Sequence, residues 1–327
     1  MLGTLVDSPG RAGRRVSSSE EHPTVPWTTT LAQALDDVRV HTEGLPERGW
    51  ERDGLATGFE SLDRVLTGLR PGEVTVVAGL PAVGTTSFAV SIARHVVGHG
   101  RRDVVWASVD EDVPAVARNF LSAQALVTTE QLRLGALSAT ERARCEAAIA
   151  HLTRSSRPGQ PALHGFEADC NPLDIVAGRD TTTADIARAV EALPGTDLLV
   201  VDDLKRLLYN DHAAHPDRDL DHVDALVMRE LGRLATTHRL HVLATARLYR
   251  THQRSGEPGP NDFRPFSAFH DQADNVVGVW RDDLRDDDSP ECGIMRVGLL
   301  RSPGAGRWEG RLAHVLDRRL VANLARG

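Results

Sequence analysis

Residues 79–86, GLPAVGTT, follow directly on the apolar run VTVVA at 74–78. Their order matches a phosphate-binding loop, Gly-x-x-x-x-Gly-Lys-Ser/Thr, at every position but the lysine, where Thr85 stands. In such a loop the glycines let backbone N–H groups close around phosphate oxygens, and the helix that follows aims its positive end at them. Gly79, Pro81, Gly84, Thr85, Thr86 and Ser87 are therefore the candidate nucleotide-binding residues, with ATP or another nucleoside triphosphate as the cofactor. Thr86 carries the hydroxyl suited to Mg2+, but Thr85 cannot supply the missing charge. A charge-assisted hydrogen bond contributes about 1.5–3 kcal/mol, so its loss weakens nucleotide binding by about one to two orders of magnitude. The transition state, which concentrates charge on the transferring group, loses more. The loop predicts binding that outlasts hydrolysis.

A second acidic signal fits the first. DLLVVDDL (197–204) sets apolar residues before an acidic pair at a strand terminus, and Asp202 is the expected partner of Mg2+ through water, together with Thr86. The paired histidines His95/His99 and His212/His215 have ligand-like spacing without a third ligand, which favours surface or core roles over a metal site.

The elements that must carry these residues alternate. Strand patterns at 74–79, 103–110, 197–203 and 241–248 are interleaved with helical patterns at 86–97, after 110 to about 154, at 182–193 and at 223–238. That alternation predicts an α/β fold with a mainly parallel, twisted sheet covered by helices on both faces. Two late strands, at 273–281 and 294–300, extend one side. Ahead of them, residues 1–27 lack apolar periodicity and read as a disordered tail. A threonine run then opens an amphipathic helix with Leu31, Leu35 and Val38 at helical spacing, cut off by Gly44, Leu45 and Pro46.

Composition sets broad limits. The chain has 327 residues, 41% of them hydrophobic, and a net charge of -8, so it can bury a sizeable core and presents no global basic field. Three scattered cysteines fit a reducing, cytoplasmic setting, and no run of about 18 apolar residues suggests a membrane span. Lys205 is the only lysine among 38 basic side chains. A general preference for arginine explains that at exposed sites, but it does not turn a phosphate-contacting lysine into threonine.

Longer segments carry a resemblance. ATGFESLDRVLTGLRPGEVTVVAG (56–79) and FRPFSAFHDQADNVVGVWRDD (263–283) resemble the motor domain of DnaB-type replicative DNA helicases within the RecA-like P-loop ATPases. The resemblance covers residues 31–316. It implies a linker helix over 28–48, a RecA-like domain over 49–327, a ring of subunits (a hexamer in the family), and single-stranded DNA as ligand. The family's N-terminal helical domain has no counterpart in this sequence.

By the same resemblance, Asp110 in DVVWASVDED (103–112) holds the place of the family's catalytic glutamate, one methylene shorter. Arg301 in MRVGLLRSPGAGRWEG (295–310) keeps the arginine that reaches a neighbouring subunit's nucleotide, with Leu299 in place of its companion lysine. In HVLATARLYR (241–250) the family's phosphate-sensing glutamine corresponds to Ala246. Asp110, Asp202 and Arg301 are thus the catalytic candidates, while Lys205, Arg206, Arg247, Arg250, Arg254 and Arg264 are the candidate DNA contacts.

Four altered positions in one pocket (Thr85, Asp110, Ala246, Leu299) leave two expectations open. One is a slow ring ATPase on single-stranded DNA. The other is a catalytically silent homologue that acts as a scaffold or regulator of a protein partner.

Overall fold

The computed structural model describes residues 31–48, 54–98, 102–153, 173–248, 256–263, 268–284 and 289–324. The expected tail over 1–27 lies outside them. The chain divides at Arg48/Gly49 into two units.

In the first unit, helix α1 spans Leu31–Arg48. Its apolar stripe is open, with Leu31, Leu35 and Val38 all more than half exposed, and Arg39 ties its polar face by pairing with Asp36 and Glu43. The helix does not stop at Gly44–Pro46 as expected. It runs two residues past Pro46, so the proline's missing N–H falls in the last turn, where the fewest helix bonds depend on it.

The second unit is a sheet sandwiched between helices. The described strands are β1 (Val74–Gly79), β2 (Val104–Ser108), β3 (Leu173–Ala177), β4 (Leu198–Asp202), β5 (His241–Arg247), β6 (Asn275–Trp280), β7 (Ile294–Arg301), β8 (Trp308–Val315) and β9 (Leu320–Asn323). They lie in the order β3-β2-β4-β5-β1-β6-β7-β8-β9. From β3 to β6 the neighbours are parallel; from β6 to β9 they are antiparallel. The central strands β1, β2, β4 and β6 are buried at every residue, which is why they read as unbroken apolar runs.

The helices are α2 (Glu60–Leu66), α3 (Thr85–Gly98), α4 (Val113–Ala125), α5 (Thr129–Leu134), α6 (Ala139–Leu152), α7 (Thr183–Ala192), α8 (Leu204–Ala214), α9 (Leu220–His238) and α10 (Ala268–Asp271). One apolar core gathers side chains of α2, α3 and α4 under one face of the sheet, including Phe59, Phe88, Ile92 and Phe120. The opposite core gathers α7, α8 and α9, with Ile186, Leu207, Leu231 and Leu234. Within the helical stretch expected to run on to about 154, left-handed caps at Leu126 and Gly135 break the chain into α4, α5 and α6.

Three strands escape the sequence patterns. β3 is a short edge strand whose residues are all only partly buried. β8 does alternate, but its inward positions include Gly310 and His314 beside Trp308 and Leu312, which masks the apolar period. β9 has four residues. These strands matter to the site, because Val321 N–H of β9 donates to Ser91 Oγ of α3 at 2.9 Å and His314 of β8 packs beneath the loop at Gly84.

A candidate nucleotide site with an ion-paired charge end

The loop 79–84 joins fully buried β1 to α3, so its two ends are fixed by the core. Gly79 has no room for a side chain: a Cβ would stand 2.6 Å from Val83 Cγ2 and 2.8 Å from the Val279 carbonyl oxygen. Gly84 adopts φ +105° and a Cβ there would lie 2.6 Å from the His314 ring. Both glycines are thus required by close approach, and the backbone is left lining the turn. Pro81 and Ala82 are exposed at its crest, Thr85 and Thr86 are half-buried, and Ser87 is fully buried in the α3 packing. His314 itself is buried, and burial, with the Arg281 and Arg319 charges, lowers its pKa to about 4 despite Asp283. In neutral solution the loop therefore rests on an uncharged ring.

At the inner end of the loop, Thr86 Oγ1 donates to Asp202 Oδ1 at 3.2 Å and Thr245 Oγ1 donates to the same oxygen at 2.5 Å. Asp202 closes β4 and is buried. Burial pushes its carboxyl up to about 6; the charges of Asp203 and Glu111 add to the rise, and the two hydroxyl bonds oppose it. A hydroxyl and a carboxylate oxygen at this separation, beside a backbone cradle, are a donor set suited to a hard divalent cation that keeps waters and phosphate oxygens as its other ligands. No group of three or more His, Cys, Asp or Glu that could hold a metal on its own occurs among the described residues. The residues present thus fit Mg2+ brought with a nucleotide.

The outer end is arranged differently. Asp110, just beyond β2, accepts from Arg247 Nη2 at 2.7 Å, and Arg247 Nε pairs with Asp203 Oδ2 at 2.6 Å. Arg247 and Asp110 are each half exposed, whereas the Asp203 side chain is buried. Asp203 also caps α8, accepting from Lys205 N–H and Arg206 N–H at 2.8 and 3.2 Å. Burial raises the Asp203 carboxyl, opposed by Arg247 and by those two amides. Burial pulls the Arg247 guanidinium down, but the Asp110 bond and the charges of Asp203, Asp110 and Asp202 outweigh it and hold it above its ordinary value. Glu111, next in sequence to Asp110, accepts from Asn119 Nδ2 at 2.6 Å.

The structure therefore brings Gly79, Gly84, Thr85, Thr86, Asp202 and Asp110 to one cleft, and adds Arg247 to it. Lys205 and Arg206 occupy the first turn of α8 beside that cleft. Arg250, Arg254 and Arg264 lie outside the described residues. Arg301 ends β7, with Nη1 buried and unpartnered, on a groove of about 600 Å³ lined also by Leu299, Leu300, Ser302, Arg307 and Glu257. Leu299 is buried in the α3-side core.

The reading of Ala246 as the counterpart of a phosphate-sensing side chain does not fit the strand. Ala246 points into the core on the α9 side, with Val242, Ala244 and Leu248, while Thr245 and Arg247 share the opposite face. The side chain that β5 delivers to the cleft is Arg247. Alternation counted two residues forward from Thr245, the hydroxyl that bonds Asp202, reaches it.

A buried parallel sheet, a glycine loop leading into a helix, and a hydroxyl–carboxylate pair at its foot define a P-loop domain of RecA-like fold. The family model for the DnaB-like helicase C terminal domain matches residues 54–298, and the chain belongs to that family. Replicative DNA helicase DnaB of Geobacillus stearothermophilus is 24% identical over 298 residues, covering 90% of this chain and 61% of that protein. Replicative DNA helicase DnaC of Bacillus subtilis (strain 168) is 24% identical over 304 residues, covering 91% and 63%. The chain spans less than two thirds of the length of these curated relatives. Among solved structures, a DnaB-like replicative helicase studied for its interactions with primase superposes with a TM-score of 0.74 at 17% identity, covering 91% of this chain and 68% of that one. A solved ATPase domain gives 0.76 at 17% identity, covering 91% and 100%. No helix among the described residues is long and apolar enough to cross a membrane.

Proposed function

We propose that this chain is a nucleotide-binding, DnaB-like ring domain whose ATP hydrolysis is weak or lost. The observation that carries this reading is the contrast within one cleft. Thr86 and Asp202 still share a hydrogen bond at the metal position, while Asp110, the candidate for activating water, is held by Arg247.

Mg2+ would supply positive charge that offsets the charge of the phosphates. Thr86 and Asp202 would hold it, and the backbone of 79–85 would donate to the phosphates. Asp110 is ion-paired in the free cleft and is one methylene shorter than a glutamate, so even when freed it stands back from a water placed to attack the phosphoryl group. Thr85 adds no charge to stabilise the transferring group. Nucleotide on this reading sets conformation and assembly rather than driving work.

On this reading, with the ring implied by the family resemblance, the chain acts in DNA replication as part of a homo-oligomeric ring, a hexamer, in the cytoplasm. Lys205 and Arg206, with Arg250, Arg254 and Arg264, would track the phosphates of single-stranded DNA. A second reading, a catalytically silent scaffold or regulator of a partner protein, is favoured by the same Asp110–Arg247 pair. The two separate in one experiment: titration of Mg-ATP against the purified chain, with and without single-stranded DNA, read with its mass in solution. Nucleotide binding that drives ring assembly without turnover supports the first reading. Assembly indifferent to nucleotide and DNA leaves the scaffold.

A further inference from the structure

We propose that Arg247 is a phosphate-binding residue that replaces, from the neighbouring strand, the cation missing at Thr85, and that Asp110 and Asp203 hold it in reserve until a triphosphate arrives. The inference rests on the reading of this cleft as a nucleotide site.

Position comes first. In the sheet register Arg247 is the direct neighbour of Gly79, the first glycine of the loop, and Leu248 N–H donates to the Gly79 carbonyl at 2.9 Å. Adjacent strands lie about 5 Å apart, so the Arg247 Cα flanks the mouth of the loop and a side chain of that length spans the cleft. Strand alternation puts it on the face that carries Thr245, hence on the side of Thr86 and Asp202. Chemistry comes second. A guanidinium offers a planar fork of donors matched equally to carboxylate and phosphate. Here the fork is occupied by Asp110 and Asp203, two carboxylates of unequal standing. Asp203 is buried and also caps α8, so it is a fixed partner; Asp110 is half exposed on a loop, so it is an exchangeable one.

A terminal phosphoryl group entering the cleft competes for the Nη2 end of Arg247. It displaces Asp110 and leaves the Asp203 pair in place. The exchange keeps the guanidinium paired throughout and releases the Asp110 carboxylate into the cleft only when a γ-phosphate is present. A diphosphate is held by the loop backbone and does not make the exchange. The cleft therefore discriminates triphosphate from diphosphate through Arg247.

The test is calorimetric titration of Mg-ATP and Mg-ADP into the full chain and its variants. Arg247→Ala should weaken ATP by about tenfold or more while ADP changes by less than about threefold. Arg247→Lys should recover part of the loss. Asp110→Asn leaves the Arg247–Asp203 pair and the α8 cap intact, so it reports even if Arg247→Ala folds poorly; it should tighten ATP several-fold and leave ADP unchanged. An ATP-to-ADP affinity ratio that neither Asp110→Asn nor Arg247→Lys alters overturns the proposal while leaving the nucleotide site standing. A wild-type chain that binds neither nucleotide removes the site itself, and the proposal with it.

Discussion

The two ends of the cleft have been treated differently. At the metal end Thr86, Asp202 and Thr245 form a closed hydrogen-bonded set. At the charge end Thr85 has no charge, Asp110 is tied down, and a cation enters from β5. The metal end is also a piece of the fold. Asp202 is buried at a strand end and satisfies two hydroxyls, so losing it would strand polar groups in the core, at roughly 1–3 kcal/mol each. The charge end is half open to water, where an exchange of side chains carries little structural cost. A residue that serves both packing and ligand binding is constrained twice; one that serves only the ligand is constrained once.

The bluntest way to break that comparison is to damage both ends together. Gly84→Ala adds a Cβ 2.6 Å from the His314 ring at φ +105°, combining backbone strain with overpacking at about 3 kcal/mol in total. Urea unfolding should show the lost stability, and binding of any nucleotide should disappear. An unaffected loop would mean that the glycine cradle is not what shapes the site.

Asp202→Ala comes next and acts on the metal end alone. Affinity for Mg-ATP should fall on the order of 100-fold, while affinity for ATP in EDTA, already weak, should hardly change. A loss of the same size with and without Mg2+ would show that Asp202 is structural only. The contrast with Asp110→Asn, which is expected to strengthen ATP binding, is the sharpest single statement of the difference between the two ends.

Acid titration addresses the metal end without mutation. The Asp202 pKa is raised from 3.8 to about 6 in the folded chain, so the folded state holds this proton more tightly than the unfolded one. The resulting stability is fully present below about pH 4 and is lost as pH rises through about 6. Mg2+ needs the carboxylate, so binding has the opposite sign. Between pH 7 and pH 5 the Mg-dependent part of nucleotide affinity should drop by about tenfold. The ligand-free protein should gain the Asp202 contribution to stability over the same interval. Binding independent of pH in that range would place the metal elsewhere.

Much of this was legible before any coordinates. The buried central strands announce themselves because burial on both faces leaves no polar positions, and the spacing from Gly79 to Thr86 and the acid closing β4 singled out Thr86 and Asp202, which share a hydrogen bond. The charge end was not legible, for two reasons. Asp110, Asp203 and Arg247 are distant in sequence and meet only because β2, β4 and β5 are neighbours in the sheet. The pattern at 241–248 also gives a strand without its facing, and assigning Ala246 to the cleft reversed the alternation. Ser87, next to the loop in sequence, is turned by one helical step into the core. β8 is hidden because Gly310 and His314 occupy positions where an apolar period would be sought, and β9 because it has only four residues.

The smallest expected effect is the most pointed. Thr85→Lys restores the loop's own cation, and in a site lacking any positive charge it would tighten ATP by about one to two orders of magnitude. Here a guanidinium already stands beside Gly79, so the added ammonium meets a like charge and competes for the same phosphoryl oxygens. The gain should be only a few-fold, and ATP turnover, measured by phosphate release, should stay at background because Asp110 remains one methylene short. In the Arg247→Ala background the same lysine should gain its full effect, since the competing cation is gone. Equal gains in both backgrounds would separate the two cations, and the charge end would then be an incomplete site rather than a rewired one.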